Sequence, residues 1–538
     1  NDNPQSPSYP ALPFLSRSIN PGEGGNPFNV PVKWYGRPLG ARYASPISPK
    51  DISQFHLSYS YFISLNDFDV DFSLTTSEHS NDHNRPDIID SRFQDALIGQ
   101  GGPNGEQTWN IFIPTENSPE LVDYVRGAEI SQKVGDLTTI DVLARSSIND
   151  FDYVLGLQLN NENLDIKYND LARAEFDEDG KITKTADLFF LGGGKNVGES
   201  RNKYAAFIEG EQQFFNSLDF RIAARYESSD NFSSLDPKLS LKYKPFDNLA
   251  IRASKGTSFA MPSMAQMFSS DINLGSVRDQ DANIFVRQAR IGNPDLEPAT
   301  AVNSNLGVIF KTDFNRLTLD YWEIEYEDRV VAQSAQALLQ SDPQGPSITR
   351  NTDGDLIAVT TTYFNEETTE LSGIDLSYEH YIDLDTNGLL DLRLKATSFI
   401  EFLTPNTSSD SSSELINRVG KFNFDANTHS VPRNRINAFL KWKYKDYQTA
   451  LNARYISGYR NDRTIPESAL NLGYSNKVSS HLVFDFSFET PIGVLFNNVS
   501  LDGKFALVNL FDESAPRLYD APDFSFDTRT HDPRGRML

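Results

Sequence analysis

Residues 217–259 read SLDFRIAARYESSDNFSSLDPKLSLKYKPFDNLAIRASKGTSF. Leu218, Phe220, Ile222, Ala224 and Tyr226 alternate with Asp219, Arg221, Ala223 and Arg225. Successive side chains of a strand point to opposite faces, so this period of two separates an apolar face from a charged one. The pattern recurs at Leu239, Leu241 and Tyr243 against Lys238, Ser240 and Lys242, and again at Leu249, Ile251 and Ala253 against Ala250, Arg252 and Ser254. Three consecutive strands therefore share one two-faced design. In a soluble sandwich the apolar face is core and the charged face meets water. In an outer-membrane barrel the apolar face meets lipid and the charged face lines the interior.

The connections decide between the two. Short joins are expected at Asn66-Asp67, Phe246–Asn248, Asp313–Asn315 and Asp385–Gly388, while 81–134, 169–202, 260–298, 330–365, 404–432 and 461–478 are long and polar. Regular alternation of short and long connections is how an up-and-down membrane barrel is laced. Structureless loops of that length are unusual in compact soluble domains. About 18 strands are expected over the chain, including one near Val30–Tyr43 and one at 533–538. Trp442, Tyr444, Tyr447, Tyr455 and Tyr459 are read as strand-end aromatics of an interfacial girdle.

Composition agrees. The chain has 538 residues, 38% hydrophobic, with a formal charge of -25 and no cysteine. No stretch reaches the ~18 consecutive apolar residues of a membrane helix, whereas a barrel strand needs only every second residue apolar. The acidic balance disfavours a nucleic-acid partner, which calls for positive patches. The absence of cysteine removes disulfides and thiolate metal sites. Seven scattered histidines make a histidine metal cluster unexpected, and no metal or cofactor is expected.

Several segments resemble the TonB-dependent outer-membrane receptors. LAIRASKGTSFAMPSMAQMF at 249–268 is similar to the family's mid-barrel signature through Arg252, Ser254, Gly256, Phe259, Pro262 and Ser263, with Ala260-Met261 departing from the usual Arg-Ala. NPDLEPATAVNSNLG at 293–307 resembles the turn into the next strand, with Ala299 and Asn305 in place of acids. DYWEIEYEDRV at 320–330, VNLFDE at 508–513, HDPRGRML at 531–538 and NPFN at 26–29 follow in the family's order.

The resemblance implies an all-β, large antiparallel up-and-down transmembrane barrel of about 22 strands, with long extracellular loops and short periplasmic turns. It implies a plug domain, uptake of a scarce nutrient (siderophore, cobalamin, carbohydrate or peptide), energy from TonB, and a Gram-negative outer membrane as location. Partners would be outer-membrane lipid, TonB through the plug, and the small nutrient. The expected organisation is an irregular opening segment at 1–29 and a barrel at 30–538 that is truncated at both ends, with free sheet edges near 30–43 and 533–538 and an empty lumen. A plug-less passive porin and a soluble secreted carbohydrate-binding or carbohydrate-active β-protein are the competing readings. No enzymatic constellation is present: there is no Gly-x-Ser-x-Gly elbow and no carboxylate pair placed on a shared cleft.

Candidate site residues follow from parity. Arg221, Arg225, Lys238, Lys242 and Arg252 share the inward face and would meet the plug or an anionic ligand, or else be balanced by Asp219 and other acids. Met264, Phe268 and Phe285 lie in a long connection and would contact ligand or pack the loop on itself. GGGK at 192–195 invites a phosphate-loop reading, but Asn196 replaces the Ser or Thr that binds magnesium. NTDGDL at 351–356 and DLDTNG at 383–388 have calcium-like acids without the closing Glu, and Asp-Gly and Asn-Gly are first of all turn formers.

Overall fold

The computed structural model describes all residues except 1–14, 41–42, 45, 178–181, 230–231, 281, 407–413, 424–429, 496–498 and 520–524. Sixteen long strands form the barrel: β1 (Lys50–Leu65), β2 (Phe68–Ile88), β3 (Arg126–Ile148), β4 (Phe151–Tyr168), β5 (Val197–Phe214), β6 (Leu218–Ser229), β7 (Phe232–Phe246) and β8 (Leu249–Ala260), then β9 (Ala299–Lys311), β10 (Asn315–Glu327), β11 (Thr369–Asp383), β12 (Leu389–Pro405), β13 (Asn434–Tyr444), β14 (Tyr447–Ile456), β15 (His481–Leu495) and β16 (Val499–Leu507). Each pairs antiparallel with its sequence neighbour, and a short strand, Leu415–Asn417, pairs with the far end of β12.

Two of the expected strands are spent elsewhere. Val32–Trp34 pairs with Arg17–Ile19 in a separate two-stranded ladder, and the 533–538 segment contributes only a single bridge, Val508 to Met537. The sheet is nonetheless a closed barrel, with β16 beside β1, rather than the open sheet expected from the sequence. Leaving backbone groups unpaired within hydrocarbon costs several kcal/mol each, which favours closure over two free edges. The junction is thinly covered: β1 is exposed along almost its whole length, on both faces.

Alternation sets the faces as expected. Ile222 lies opposite Leu239, Phe220 opposite Leu241 and Leu392 opposite Leu440, so the apolar set is continuous across strands. Leu218, Phe220, Ile222, Leu239, Leu241, Leu249, Ile251, Leu390, Leu392, Leu394, Ile436, Leu440, Phe484 and Phe486 all belong to it, and all are exposed or half-buried. The opposite parity carries the charges and lines the internal cavities described below.

Because the barrel is a meander, its connections fall on alternate rims. Residues 66–67, 149–150, 215–217, 247–248, 312–314, 384–388 and 445–446 make short turns on one rim. Asn149 and Asn216 take positive φ there, as tight hairpins require. The described residues of 89–125, 169–196, 261–298, 328–368, 406–433 and 457–480 emerge at the other rim, where β6 and β7 also end and begin close together in sequence. Phe215, Phe246, Phe314, Tyr381, Trp442 and Tyr447 stand exposed at strand ends on the short-turn rim, a partial girdle. Tyr459, expected in that girdle, is instead buried among the long connections, 5% exposed.

The long connections carry their own core. Phe93, Trp109 and Phe189 are fully buried, with Phe93 edge-on to both at 5.9 and 5.5 Å. Leu15, Ile19, Leu97, Leu121 and Val125 complete this cluster, which reaches the strand-end residues Ile88, Ile166, Tyr168 and Val197. A five-stranded sheet built from Ser270–Asp279, Ala282–Ile291, Arg329–Ala332, Ile348–Arg350 and Leu356–Glu366 forms a second layered unit at this rim.

Candidate functional site

The inner wall is read directly from the register. Asp219, Lys242, Arg252, Gly307, Asp320, Asp375, Thr397 and Arg435 are successive cross-strand neighbours on β6 through β13. Directly paired residues share a face, so these positions form one belt. Its charges are balanced locally. Lys242 and Lys244 reach Asp219 at 3.4 and 3.2 Å. Arg221 pairs with Glu211 and lies 3.6 Å from Glu209. Arg225 bonds Glu227 at 2.7 Å and Gln158 at 2.8 Å, spanning from β6 to β4. Arg252 forks onto Asp320 at 2.9 and 2.6 Å, spanning from β8 to β10. Contacts that skip a strand are possible on the concave side, where side chains converge.

Two cavities lie against this belt. One, of about 300 Å³, is lined by Glu211, Asp219, Arg221, Ser240, Lys242 and Arg252 among others. The other, of about 780 Å³, is lined by Asp320, Asp375, Lys395, Phe399, Phe402 and Arg435 among others, and is roofed by Ser430, Val431 and Pro432. Of the Arg252–Asp320 pair, Arg252 lines the smaller cavity and Asp320 the larger. Lys395 and Arg435 make no ion pair among the described residues, which gives the larger cavity two uncommitted cations beside two phenylalanine rings.

Of the inward-facing candidates, Arg221, Lys242 and Arg252 are brought together around the smaller cavity, and all three are ion-paired. Arg225 lies farther along β6 with its guanidinium over the Phe207 ring at 5.6 Å. Lys238 is exposed on the same face, without an ion pair among the described residues. The loop candidates go elsewhere. Met264 is buried, and Phe268 and Phe285 pack against the Phe93–Trp109 core. Their surroundings are apolar side chains of this chain. Lys395 and Arg435 escaped the sequence reading, although the alternation in 389–403 and 433–445 places them on the inner face.

The remaining motifs resolve as structure. In the glycine run, Gly194 N donates to Ala172 O at 3.1 Å and Lys195 N to Ser270 O at 3.0 Å, so these amides are already engaged. A Cβ at Gly193 would come within 1.8 Å of Ala172 O, so the glycine serves close packing. Asp87 accepts from the Phe190 and Leu191 amides at 2.9 and 2.7 Å, and Arg287 donates to Phe189 O at 3.1 Å, which pins the apolar run ahead of the glycines. In the 351–356 turn, Asn351 Oδ1 accepts from the Asp353 and Asp355 amides, and the Lys33 ammonium bridges both carboxylates. A lysine occupies the place a calcium ion would need. At 383–388, Asp383 caps the Asp385 amide at 2.9 Å.

The loops are fastened to the wall by polar contacts. Lys133 and Tyr168 both bond Asp271 Oδ1, at 2.9 and 2.8 Å, and Arg201 donates to Pro262 O at 2.7 Å.

Comparison with known proteins places this architecture. The sequence profile described as "TonB dependent receptor-like, beta-barrel" matches residues 3–504. The fold is similar to that of the ferric enterobactin receptor of Pseudomonas aeruginosa, in a mutant form, at TM-score 0.59 and 14% identity, covering 90% of this chain and 60% of that one. It is also similar to the siderophore receptor PirA of Acinetobacter baumannii, at TM-score 0.56 and 14% identity, covering 94% and 66%. The copper transporter OprC gives TM-score 0.53 at 14% identity, covering 90% and 65%. The chain thus spans about 60% of the length of the enterobactin receptor. No curated protein sequence matches it.

Proposed function

Since this chain belongs to the TonB-dependent receptor β-barrel family and is an outer-membrane barrel of the Gram-negative type, we propose that it is the barrel of a receptor that imports a scarce small solute with energy from TonB. The observation that carries this reading is the one-sided placement of the long connections above a lumen lined by paired and unpaired charges. A passive porin needs neither a folded cap of that size nor charges held in bidentate pairs. The family assignment sets aside the soluble carbohydrate-active reading.

In this proposal the long-connection rim faces the medium and first meets the solute. Siderophores and metal chelates come first as candidates, because the similar structures are named as a ferric enterobactin receptor, a siderophore receptor and a copper transporter. Arg221, Arg225, Lys238, Lys242 and Arg252 would face the plug or the passing solute, with Lys395 and Arg435 available to an anionic one.

Growth tests the reading. A Gram-negative host dependent on this receptor should lose growth on a limiting chelate when the gene is deleted. Complementation should restore it only in a strain with working TonB. Uptake that persists without TonB would favour the passive porin.

A further inference from the structure

Where the connection ahead of β13 meets the residues after β16, a buried polar knot joins three parts of the chain. Ser430 Oγ bonds Asp527 and lies 2.5 Å from Thr530 Oγ1. The Tyr459 hydroxyl is 3.2 Å from both Asp527 Oδ2 and His531 Nε2. The His531 ring stacks on Tyr459 at 5.9 Å and meets His481 edge-on at 5.2 Å. His531 is 3% exposed and His481 5%. His531 Nδ1 and His481 Nε2 are buried without a hydrogen-bond partner. Ser430 also stands in the roof of the 780 Å³ cavity, so the knot and the roof share a residue.

We infer that this knot is an acid-releasable latch, which holds residues 430–432 against the lumenal cavity at neutral pH and frees them when His531 takes up a proton. The inference rests on the uptake reading, because it assigns regulation to the lumen that the solute would cross.

The chemistry follows from the hydrogen bonds. With the Tyr459 hydroxyl donating to Asp527, His531 Nε2–H donates to the phenol oxygen and Nδ1 keeps a bare lone pair. A proton adding there creates an imidazolium whose Nδ1–H has no acceptor, in a buried site beside a second imidazole. Burial is the main cause holding His531 down to about 4, with His481 and Arg435 acting in the same direction and Asp527 opposing. At Asp527 burial would raise the carboxyl, but the hydrogen bonds from Ser430, Thr530, the Arg529 amide and Tyr459 outweigh it and keep the carboxyl below its usual value. The anion therefore persists while His531 titrates.

The sign is fixed by which form binds more protons. A released His531 titrates near its ordinary value of about 6.5 and the docked one near 4. Docking is therefore fully favourable above about pH 6.5 and weakens as the pH falls from there toward 4.

Hydrogen exchange on the full chain in detergent, corrected for the intrinsic pH dependence of exchange, tests the latch. Between pH 7.5 and 4.5, amides at 430–433 and 525–531 should lose protection at least about tenfold, while mid-strand barrel amides keep theirs. His531→Phe retains a ring to stack on Tyr459 but cannot take a proton, and His531→Gln keeps a donor toward the Tyr459 oxygen without a titratable ring. Either variant should flatten the response, and the second stands if the first fails to fold. Unchanged protection in the parent, or equal loss in both variants, overturns the latch. Solute uptake at neutral pH is scored separately. Uptake with a flat exchange profile sinks the latch alone, and a responsive profile without uptake sinks the gating role together with the transport reading.

Discussion

Arg252 on β8 and Asp320 on β10 pair across the strand between them, over the one residue of that strand that leaves room. Gly307 of β9 is the direct cross-strand neighbour of both. A Cβ built on it would lie 1.9 Å from Asp320 Oδ1 and 2.9 Å from Arg252 Nε. The pair thus depends on an absent side chain, and its members line the two lumenal cavities, Arg252 the smaller and Asp320 the larger.

Gly307→Ala should push the Asp320 carboxylate aside and cost about 1–3 kcal/mol, the usual range for a steric insertion at a packed site. In an Asp320→Ala background the same change should cost less, giving a coupling of about 1 kcal/mol or more in a double-mutant cycle. Denaturant unfolding in lipid vesicles measures it. Strictly additive effects would show that the glycine is not there for this pair.

The cap core touches the barrel only at strand ends, so the cap should be able to fail on its own. Phe93→Ala removes the ring that touches both Trp109 and Phe189. Loss of a buried Phe side chain costs about 3–5 kcal/mol. Limited proteolysis should then cut within 90–125 and 186–196 while heat-modifiable gel migration of the barrel persists. A variant that loses both together would tie the cap to barrel stability.

The lumenal belt was legible because strict alternation is a local property: the parity of Asp219, Arg221 and Lys242 needs no knowledge of the partner strand. Strand partners are not local, which is why closure between β16 and β1 could not be seen. The segment at 30–43 misled for the same reason. Val32–Trp34 is a strand, but its partner is Arg17–Ile19 rather than a barrel neighbour. Tyr459 looks like any strand-end tyrosine in sequence. Only the fold of the segment after β16 brings Asp527 and His531 onto it. The apolar run 188–191 ahead of three glycines resembled a phosphate loop because both need backbone without side chains. Here the close approach is made by protein rather than by phosphate.

The Asp353–Asp355 turn should be indifferent to calcium, because the Lys33 ammonium already bridges its two carboxylates. Adding millimolar calcium or a chelator should leave the thermal midpoint of the parent unchanged to within about 0.5 °C, roughly half the shift that 1 kcal/mol would produce in a chain of 538 residues. A clear calcium-dependent rise in the parent would restore the metal reading of this loop. In Lys33→Met the two carboxylates lose their cation, and any calcium response should be confined to that variant.

Two adjacent residues on β9 offer the sharpest test of which face meets lipid. Asn305 lines the smaller cavity, while Leu306, next in sequence, is 55% exposed on the opposite face beside Ala253 and Tyr321. Both lie near the middle of a 13-residue strand, where the bilayer core should be deepest. A charge on the lipid face near the midplane costs about 2–4 kcal/mol, and lumen positions are tolerant. Leu306→Arg should therefore destabilise the vesicle-embedded barrel by that amount, and Asn305→Lys by no more than about 1 kcal/mol. In detergent the gap should narrow, since a micelle lets a long cationic side chain reach water along its stem. Equal costs at the two positions, or a larger cost at Asn305, would mean that the apolar parity faces inward and that the barrel is not laid out for a membrane.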